Sequence, residues 1–334
     1  MREFVAVDAG GTSTRAVVVD EEGRCRGYGR STSGNPTSAG AGPAAAAVGA
    51  AIEQALAAAA VDPTGVEAVL VAHAGGHADY EAGIAQRLSR LGVGGVLARV
   101  GDLAALFASG THEQDGAAML AGTGAIGGAI RGGALVRTVD GTGWLLGDSG
   151  SGFWIGHRVA RAVVDALDGG PSTALTSALL ATLGVLDDHD YDAGRPRALD
   201  ALMHGLFALR PVELSRFAPL AFALVGQDAV ADGIVRDGVD LMTSLLLRVR
   251  AIQSEGPLVF GGSVLVEGYL RLDAHVVRPL LDAAGASTPI PVADGLVGAA
   301  VLALRAGGVA IDAPLFARLA GSIREAAGAW RAPV

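Results

Sequence analysis

The sequence predicts an α/β protein of two lobes formed by duplication of one unit. Short β-branched runs alternate with longer stretches rich in alanine and leucine, which is the pattern of α/β architecture. A strand, a glycine turn and a second strand occur twice, at 5–19 and at 117–131. The length of 334 residues suits two domains of roughly 100–200 residues each. We expect a ligand in the cleft between the lobes, where pockets commonly form.

Along the chain, the β-branched runs predict strands at 4–7, 15–19, 68–72, 96–100, 117–120, 127–131 and 258–260. The alanine- and leucine-rich segments predict helices at 42–60, 80–91, 102–109, 151–167, 211–224, 228–254, 269–284 and 314–330. Polar turns containing glycine follow both duplicated units, at 21–23 and 132–133.

Charge and composition exclude several classes of protein. A net charge of −9 and a pI near 5.2 argue against binding to nucleic acid or to an anionic membrane. All 25 basic residues are arginine, which excludes a Schiff base, a Walker A loop and a protein-kinase lysine. The single cysteine, Cys25, excludes an intrachain disulfide framework and a cysteine-built metal site within one chain, and it fits a reducing cytoplasm. No signal peptide and no membrane span are expected.

The two glycine turns are candidates for binding the phosphates of a nucleotide. The first turn contains Gly10, Gly11 and Thr12 after Asp8, and the second is Gly122-Thr123-Gly124. Glycines let backbone N–H groups approach phosphate oxygens, and Asp8 could hold Mg²⁺ through a water molecule. Either turn alone could equally be an ordinary hairpin, but two facing turns could hold a phosphate chain from both sides.

A third glycine motif, Gly261-Gly262-Ser263, follows the strand at 258–260 in a position suited to contact adenosine. Its alternative interpretation is a tight turn without a ligand. Asp102 follows a predicted strand, at the edge where open α/β sheets bind ligands. Its carboxylate could accept the proton of an attacking hydroxyl, or it could simply cap the next helix.

The segment 143–156 suggests a sugar subsite. It combines Gly143, two tryptophans including Trp144, and the carboxylate of Asp148. Carboxylates accept protons from sugar hydroxyls, and flat apolar surfaces pack against sugar rings. Alternatively, Asp148 and Ser151 only cap the following helix and the tryptophans only pack.

The histidines and the acidic run do not predict a metal site. The spacing of His73, His77, His112 and His189 matches no usual ligand pattern. The acidic cluster 187–192 is interpreted as a solvated loop, although it could attract a cation.

Together these motifs resemble the BadF/BadG/BcrA/BcrD ATPase family, and particularly its N-acetylglucosamine kinase branch within the actin-like sugar kinase and Hsp70 superfamily. The resemblance runs from Asp8 to about Gly308, and its most specific part is 143–156. That segment is similar to the family pattern Gly-Trp-x-x-Gly-Asp-Glu-Gly-Ser-x-Tyr-Trp-Ile-Gly. The resemblance implies a two-lobed actin-like ATPase fold, the duplicated ribonuclease H-like fold, with an interlobe cleft. It implies an N-terminal lobe at 1–112, a C-terminal lobe at 113–313 and a helix at 314–331 that returns to the first lobe.

The resemblance also implies roles for individual residues. Asp102 corresponds to the catalytic base, Asp148 to a sugar-binding aspartate, Asn35 to the asparagine of a sugar-binding turn, and Gly75 to a glycine loop beside the sugar. Two positions depart from the family pattern. Ser149 replaces a glutamate near the expected sugar site, and Ala125 replaces a serine after the second glycine turn.

We therefore expect an ATP- and Mg²⁺-dependent kinase that converts an amino sugar, with N-acetylglucosamine leading, to its 6-phosphate. Glucosamine and N-acetylmuramic acid remain alternative substrates. A non-catalytic sugar sensor and an ATPase activator of a dehydratase remain alternative functions, although one cysteine per subunit cannot supply four ligands to a cluster shared by a dimer. The expected partners are the sugar and ATP, with no nucleic acid and no membrane; members of the family it resembles are often homodimers, but no feature of the sequence itself predicts one.

Overall fold

Residues 3–101 contain the five strands of a mixed sheet with the order β3-β2-β1-β4-β5. The computed structural model describes residues 2–75 and 78–331. The strands are β1 (Glu3–Ala9), β2 (Thr14–Asp20), β3 (Cys25–Ser31), β4 (Val66–His73) and β5 (Val96–Gly101). β1, β4 and β5 run parallel, whereas β2 and β3 are antiparallel hairpin partners.

Residues 116–292 repeat this arrangement in a second sheet with the order β12-β11-β6-β7-β8. Its strands are β6 (Gly116–Ala121), β7 (Ala125–Arg131), β8 (Ala134–Asp140), β11 (Leu258–Gly261) and β12 (Ile290–Val292), and a separate small ribbon pairs β9 (Tyr191–Asp192) with β10 (Arg195–Pro196). Strand directions match those of the first sheet. The predicted duplicated α/β fold is confirmed.

Helices cover both sheets. They are α1 (Pro36–Ala39), α2 (Ala41–Ala59), α3 (Ala78–Arg90), α4 (Asp102–Gly110), α5 (Gly152–Leu167), α6 (Leu175–Leu183), α7 (Arg197–Phe207), α8 (Ala218–Ala223), α9 (Ala229–Arg250), α10 (Ala274–Ala283), α11 (Leu296–Ala306) and α12 (Ala313–Ala329). Short 3₁₀ segments lie at Pro63–Gly65, Pro211–Phe217 and Tyr269–Arg271, and a π-helical turn at Val264–Gly268. None of the described helices is both long enough and apolar enough to span a bilayer.

Helices α4 and α11 join the two halves. α4 buries Leu106 and Phe107 in a cluster with strands of the second sheet, whereas α11 packs in the core of the first sheet. The two helices touch at Gly298, where an added Cβ would lie 1.8 Å from the carbonyl oxygen of Ala105. The backbone N–H of Gly298 also donates to Ser109 Oγ at 2.8 Å. Only glycine permits this approach. Since α11 packs on the first sheet and α4 on the second, the contact between these helices sets the position of one sheet relative to the other.

The C-terminal helix α12 lies against the β2–β3 hairpin. Arg318 Nε donates to the carbonyl oxygen of Glu22 at 2.6 Å, and the N–H of Cys25 donates to Ser322 Oγ at 3.0 Å. The lobe boundaries at 112 and 313 stay a prediction. Helix α11 lies inside the predicted C-terminal lobe by sequence, but it packs in the core of the first sheet.

Several elements differ from the sequence-based prediction. β3 was missed because Gly27 and Gly29 disfavour a strand, yet an added Cβ at either would lie 2.1 Å from a carbonyl oxygen of α2. β8, β12, α1, α6, α7 and α11 were missed as well. The predicted helix 211–224 is a 3₁₀ segment followed by α8, with Pro219 in the first turn of α8. The predicted helix 269–284 is broken before α10, and the predicted helix 228–254 ends at Arg250.

Candidate functional site

The carboxyl ends of the parallel strands bring several predicted site residues to one edge of the first sheet. Asp8 lies near the end of β1, Gly75 follows β4, and Asp102 follows β5. Asp8 in β1 is paired with Ala72 in β4, and the following residue of β4, His73, is paired with Gly101 in β5. This edge is where an open parallel sheet places a ligand.

The first glycine turn and Asn35 form one connected unit. The N–H of Gly10 donates to the carbonyl oxygen of Ser13 at 3.1 Å, and the N–H of Gly34 donates to the carbonyl oxygen of Gly10 at 3.2 Å. Asn35 follows directly and caps α1, since its Oδ1 accepts the N–H of Thr37 at 2.8 Å. A phosphate at the turn and a polar substrate at Asn35 would therefore be neighbours.

Asp102 is the first residue of α4, one position inside the cap at Gly101. Its Oδ1 accepts the N–H of Leu103 at 2.8 Å. Burial raises the pKa of Asp102, and this hydrogen bond and nearby His73 oppose the rise only in part. A carboxylate with a raised pKa is a better proton acceptor, which suits a general base.

His73 is a second polar group at this edge. It is 7% exposed, it packs edge-on against Tyr80 at 5.0 Å between ring centroids, and neither ring nitrogen has a hydrogen-bond partner among residues 2–75 and 78–331. Burial lowers the pKa of His73 and favours the neutral ring. With Gly75, Arg99 and Gly101 it lines an open pocket of about 590 Å³, in which Arg99 pairs with Glu81. Sequence reasoning interpreted His73 as a core or surface group and missed its position beside Asp102.

Asp8 shares an arginine with a carboxylate that sequence reasoning also missed. Arg15 Nη1 lies 3.5 Å from Asp8 Oδ2, and Arg15 Nε lies 3.6 Å from Asp294 Oδ2. Burial first, and then the charge of Asp294, raise the pKa of Asp8 to about 7, while Arg15 acts in the opposite direction. The duplication was the available signal, because Asp294 follows β12 as Asp102 follows β5.

The second glycine turn is held by the first residues of α5 and by Asp148 before it. The N–H of Gly152 donates to the carbonyl oxygen of Gly122 at 2.8 Å, and the N–H of Phe153 donates to that of Thr123 at 3.0 Å. Asp148 Oδ1 accepts the N–H of Ala125 at 3.1 Å. An added Cβ at Gly124 would lie 2.9 Å from the Asp148 carboxylate. Asp148 and the second turn are thus one structural unit.

Asp148 adopts a left-handed backbone conformation, with φ of 56°. Its N–H donates to Asp140 Oδ1 at 2.8 Å, and the N–H of Ser149 donates to Asp140 Oδ2 at 3.3 Å. Ser151, not Asp148, caps α5 through Trp154. Burial raises the pKa of Asp148, and the charge of Asp140 adds to the rise. Such backbone strain is retained where surrounding contacts over-determine it, which is common at functional sites.

Gly143 and Trp144 lie in the exposed part of the same segment. Trp144 packs edge-on against Phe153 at 5.7 Å and remains 41% exposed. An added Cβ at Gly143 would meet no atom within 4 Å, although its φ of +84° favours glycine. An exposed indole is available to a ligand, but within the described residues no hydrogen bond or ring contact joins Gly143 or Trp144 to Asn35 or Gly75.

Packing already explains two residues of the third glycine motif. An added Cβ at Gly261 would lie 2.4 Å from Leu106 Cδ1, and one at Gly262 would lie 2.3 Å from the carbonyl oxygen of Ala121. Ser263 starts the π-helical turn without a side-chain cap bond. Gly262 therefore sits against the second turn, and a contact with adenosine stays a prediction.

The remaining polar groups show no metal centre. Within residues 2–75 and 78–331, no group of three or more histidine, cysteine or acidic side chains is arranged to hold a metal ion. His189 is exposed beside Asp187, His112 lies 3.6 Å from Glu113, and His77 lies outside the described residues. Burial raises the pKa of the Cys25 thiol to about 11.

Comparisons with known proteins agree with this architecture. The model of the BadF/BadG/BcrA/BcrD ATPase family matches residues 5–303. An N-acetyl-D-glucosamine kinase of Dictyostelium discoideum is 32% identical over 219 residues, which cover 61% of this chain and 64% of that relative. The match thus spans less than two thirds of the curated relative.

Two solved structures show the same fold. A candidate N-acetylglucosamine kinase of Chromobacterium violaceum has a TM-score of 0.70 at 24% identity, covering 91% of this chain and 99% of its own. A ROK family glucokinase of Streptomyces griseus, in complex with glucose and AMPPNP, has a TM-score of 0.56 at 21% identity, with coverage of 91% and 99%. The predicted two-lobed fold and the predicted family are confirmed.

Proposed function

The chain belongs to the BadF/BadG/BcrA/BcrD ATPase family, and on that premise we propose that it is an ATP-dependent kinase of an amino sugar, with N-acetylglucosamine as the leading substrate. The curated relative named as an N-acetyl-D-glucosamine kinase supports the choice of sugar. The observation that carries the proposal is the partly buried carboxylate of Asp102, with its raised pKa, at the edge that also presents Asp8 and the loop at Gly75.

In the proposed reaction, the 6-hydroxyl oxygen of the sugar attacks the γ-phosphorus of ATP. Asp102 accepts the hydroxyl proton as the new P–O bond forms, and the bond between the γ-phosphorus and the bridging oxygen breaks to release ADP. Asp102 keeps its carboxylate in place through the N–H of Leu103. Asn35 and Asp148 bind sugar hydroxyls, and the side chain of Trp144 offers an apolar surface.

The glycine turns bind the phosphates. Gly10, Gly11 and Thr12 approach them from the first lobe, and Gly122, Thr123 and Gly124 approach from the second. An added Cβ at Gly122 would meet nothing within 4 Å, so the space above this backbone is open to a ligand. Gly262 adjoins this turn, and in the proposal Gly261, Gly262 and Ser263 contact the nucleoside.

Mg²⁺ fits the donor set, because Asp8 supplies a buried carboxylate oxygen of the kind that this ion prefers, with water and phosphate oxygens completing its shell. When bound, the ion neutralises charge on the phosphates. Asp8 is the residue that would hold it, through a water molecule.

The two departures from the family pattern bear on which sugar is bound. Ser149 follows Asp148, and its backbone N–H donates to Asp140. Ala125 follows the second turn, and its backbone N–H donates to Asp148. The hydroxymethyl of Ser149 in place of a longer carboxylate leaves more room and less negative charge at the site. This favours a neutral, N-acetylated sugar over the cationic glucosamine, for which a carboxylate would be the better partner.

The test measures ADP release with ATP and Mg²⁺ against N-acetylglucosamine, glucosamine, N-acetylmuramic acid, glucose and no sugar. The proposal expects stimulation by N-acetylglucosamine above the other sugars. Hydrolysis that ignores the sugar would indicate an ATPase regulator. Sugar binding without phosphate transfer would indicate a sensor, and either result would refute the kinase.

A matched glycine pair tests the phosphate site. Gly122→Ala adds a methyl group into open space, so the fold is unaffected, but the methyl group lies where a phosphate would approach. Gly233→Ala adds one on the exposed surface of α9, also with nothing within 4 Å. We expect a higher KM for ATP in the first variant only. Equal ATP kinetics in both variants would remove the second turn from the phosphate site.

A further inference from the structure

Arg15 lies between two carboxylates at the floor of the candidate nucleotide site. It is paired directly with Asp8 across the β1–β2 hairpin. Its Nη1 is 3.5 Å from Asp8 Oδ2, and its Nε is 3.6 Å from Asp294 Oδ2. The side chains of all three are mostly shielded, at 27%, 12% and 28% exposed for Arg15, Asp8 and Asp294. The two carboxylates therefore share one cation.

Local structure brings Asp294 to Asp8. Asp294 precedes α11, and its Oδ1 accepts the N–H of Leu296 at 3.1 Å, which leaves Oδ2 to face Arg15. Gly295 permits the approach, because an added Cβ there would lie 3.1 Å from Asp8 Oδ1. The start of α11 is thus packed against Asp8 itself.

The charges at this point do not balance. Once Asp8 is ionised, above about pH 7, Asp8 and Asp294 carry two negative charges against the single positive charge of Arg15, and the Asp102 carboxyl group lies nearby. A site with excess negative charge favours a divalent cation. Mg²⁺ in kinases is usually held by one or two carboxylates together with substrate phosphates and water. That arrangement needs no cage of three acidic side chains, and none is present among the described residues.

Arg15 offers a positive charge beside the first glycine turn. The sequence contains no lysine, so a lysine cannot neutralise the nucleotide. Arg15 lies in β2, directly after the first glycine turn, and a guanidinium binds phosphate oxygens through a planar pair of donors.

We infer that Asp294 is the second carboxylate of the Mg²⁺–nucleotide site. Without the metal, Arg15 is the counter-ion of both Asp8 and Asp294. When Mg²⁺ binds to the two aspartates, Arg15 leaves them and binds the phosphates instead. The inference rests on the proposed function only in requiring a nucleotide, not a sugar.

The experiment measures the affinity for ADP by calorimetry at stepped Mn²⁺ concentrations, without sugar and without turnover. Asp294→Asn keeps the bond to the N–H of Leu296 and removes only the charge. We expect the Mn²⁺ concentration for half-maximal ADP affinity to rise about tenfold in this variant. Arg15→Gln removes the competing cation, so that concentration should fall about threefold, while the ADP affinity at saturating Mn²⁺ also falls.

The Mn²⁺ concentration for half-maximal ADP affinity is thus expected to rise in Asp294→Asn and to fall in Arg15→Gln. General damage to the site would instead raise it in both variants. Arg195→Gln and Asp200→Asn, which break an exposed pair at 3.2 Å, are the matched controls and should not shift it. A shift under twofold for Asp294→Asn, or an upward shift for Arg15→Gln, would overturn the inference. Because no sugar is present, failure of the kinase assay leaves this result unaffected, and the reverse also holds.

Discussion

Replacing Asp8 by asparagine is expected to stabilise the metal-free protein at pH 8 and to abolish most of its Mg²⁺-dependent affinity for nucleotide. Burial and the neighbouring Asp294 raise the pKa of Asp8 from 3.8 to about 7. Between these two values the unfolded chain has lost the proton while the folded protein retains it. The folded state binds more protons there, so stability falls as the pH rises through this range and is level above it.

The magnitude follows from the width of that range. Each pH unit between 3.8 and about 7 contributes about 1.4 kcal/mol, so the ionised carboxylate costs the folded protein about 4 kcal/mol at pH 8. Asparagine avoids this cost, which already includes the opposing attraction of Arg15 at 3.5 Å. The expected gain is about 4 kcal/mol at pH 8, and about 2–3 kcal/mol less at pH 5.

Urea unfolding of both proteins in EDTA, at pH 5 and pH 8, measures this difference. Asp312→Asn is the control, because Asp312 is an exposed cap of α12 and asparagine can replace it as a cap. The reasoning is refuted if Asp8→Asn is no more stable than the wild type at pH 8, or if its advantage is the same at both pH values. Titration of both proteins with nucleotide and Mg²⁺ then shows whether Asp8, whose charge destabilises the metal-free fold, is required for Mg²⁺-dependent nucleotide binding.

Three further substitutions test the site. Asp102→Asn keeps an acceptor for the N–H of Leu103 but removes the base, so we expect kcat to fall about 10²–10⁴-fold with little change in either KM; steady-state kinetics with near-normal turnover would contradict this. Tyr80→Phe removes the hydrogen bond from the Tyr80 hydroxyl to the carbonyl oxygen of Gly34 at 2.8 Å, which costs about 1–2 kcal/mol and loosens the turn at Asn35. A lower Tm together with a higher sugar KM is expected, and an unchanged sugar KM would separate that turn from the substrate. Gly124→Ala places a methyl group 2.9 Å from the Asp148 carboxylate, so sugar affinity measured by calorimetry should fall, whereas Gly233→Ala should not alter it.

Much of the fold could be predicted from local patterns. The predicted strands at 4–7, 68–72 and 258–260 all lie within observed strands, because runs of buried β-branched residues rarely form anything else. β3 could not be found in this way. Gly27 and Gly29 are unfavourable in an isolated strand, and only the close approach of α2 gives them a reason.

The candidate site divides in the same manner. Asp8, Asp102 and the two glycine turns were identified because each follows a recognisable strand, and a strand end is a local feature. His73 also follows a predicted strand, at 68–72, but a histidine there was interpreted as a core or surface group. Asp294 was missed because the strand before it, β12, was not predicted, and Arg15 was counted only as part of a strand. Arg15 and Asp294 meet only because α11 returns from the far end of the chain to pack on the first sheet.

What the sequence by itself determined is therefore the α/β pattern, its duplication and the carboxylates placed at strand ends, since periodicity and turn chemistry act over a few residues. Only the tertiary structure decided which of those carboxylates share a cation and which are buried enough to have raised pKa values. Charge and desolvation depend on neighbours in space, and the crossing of α4 and α11 at Gly298 sets those neighbours.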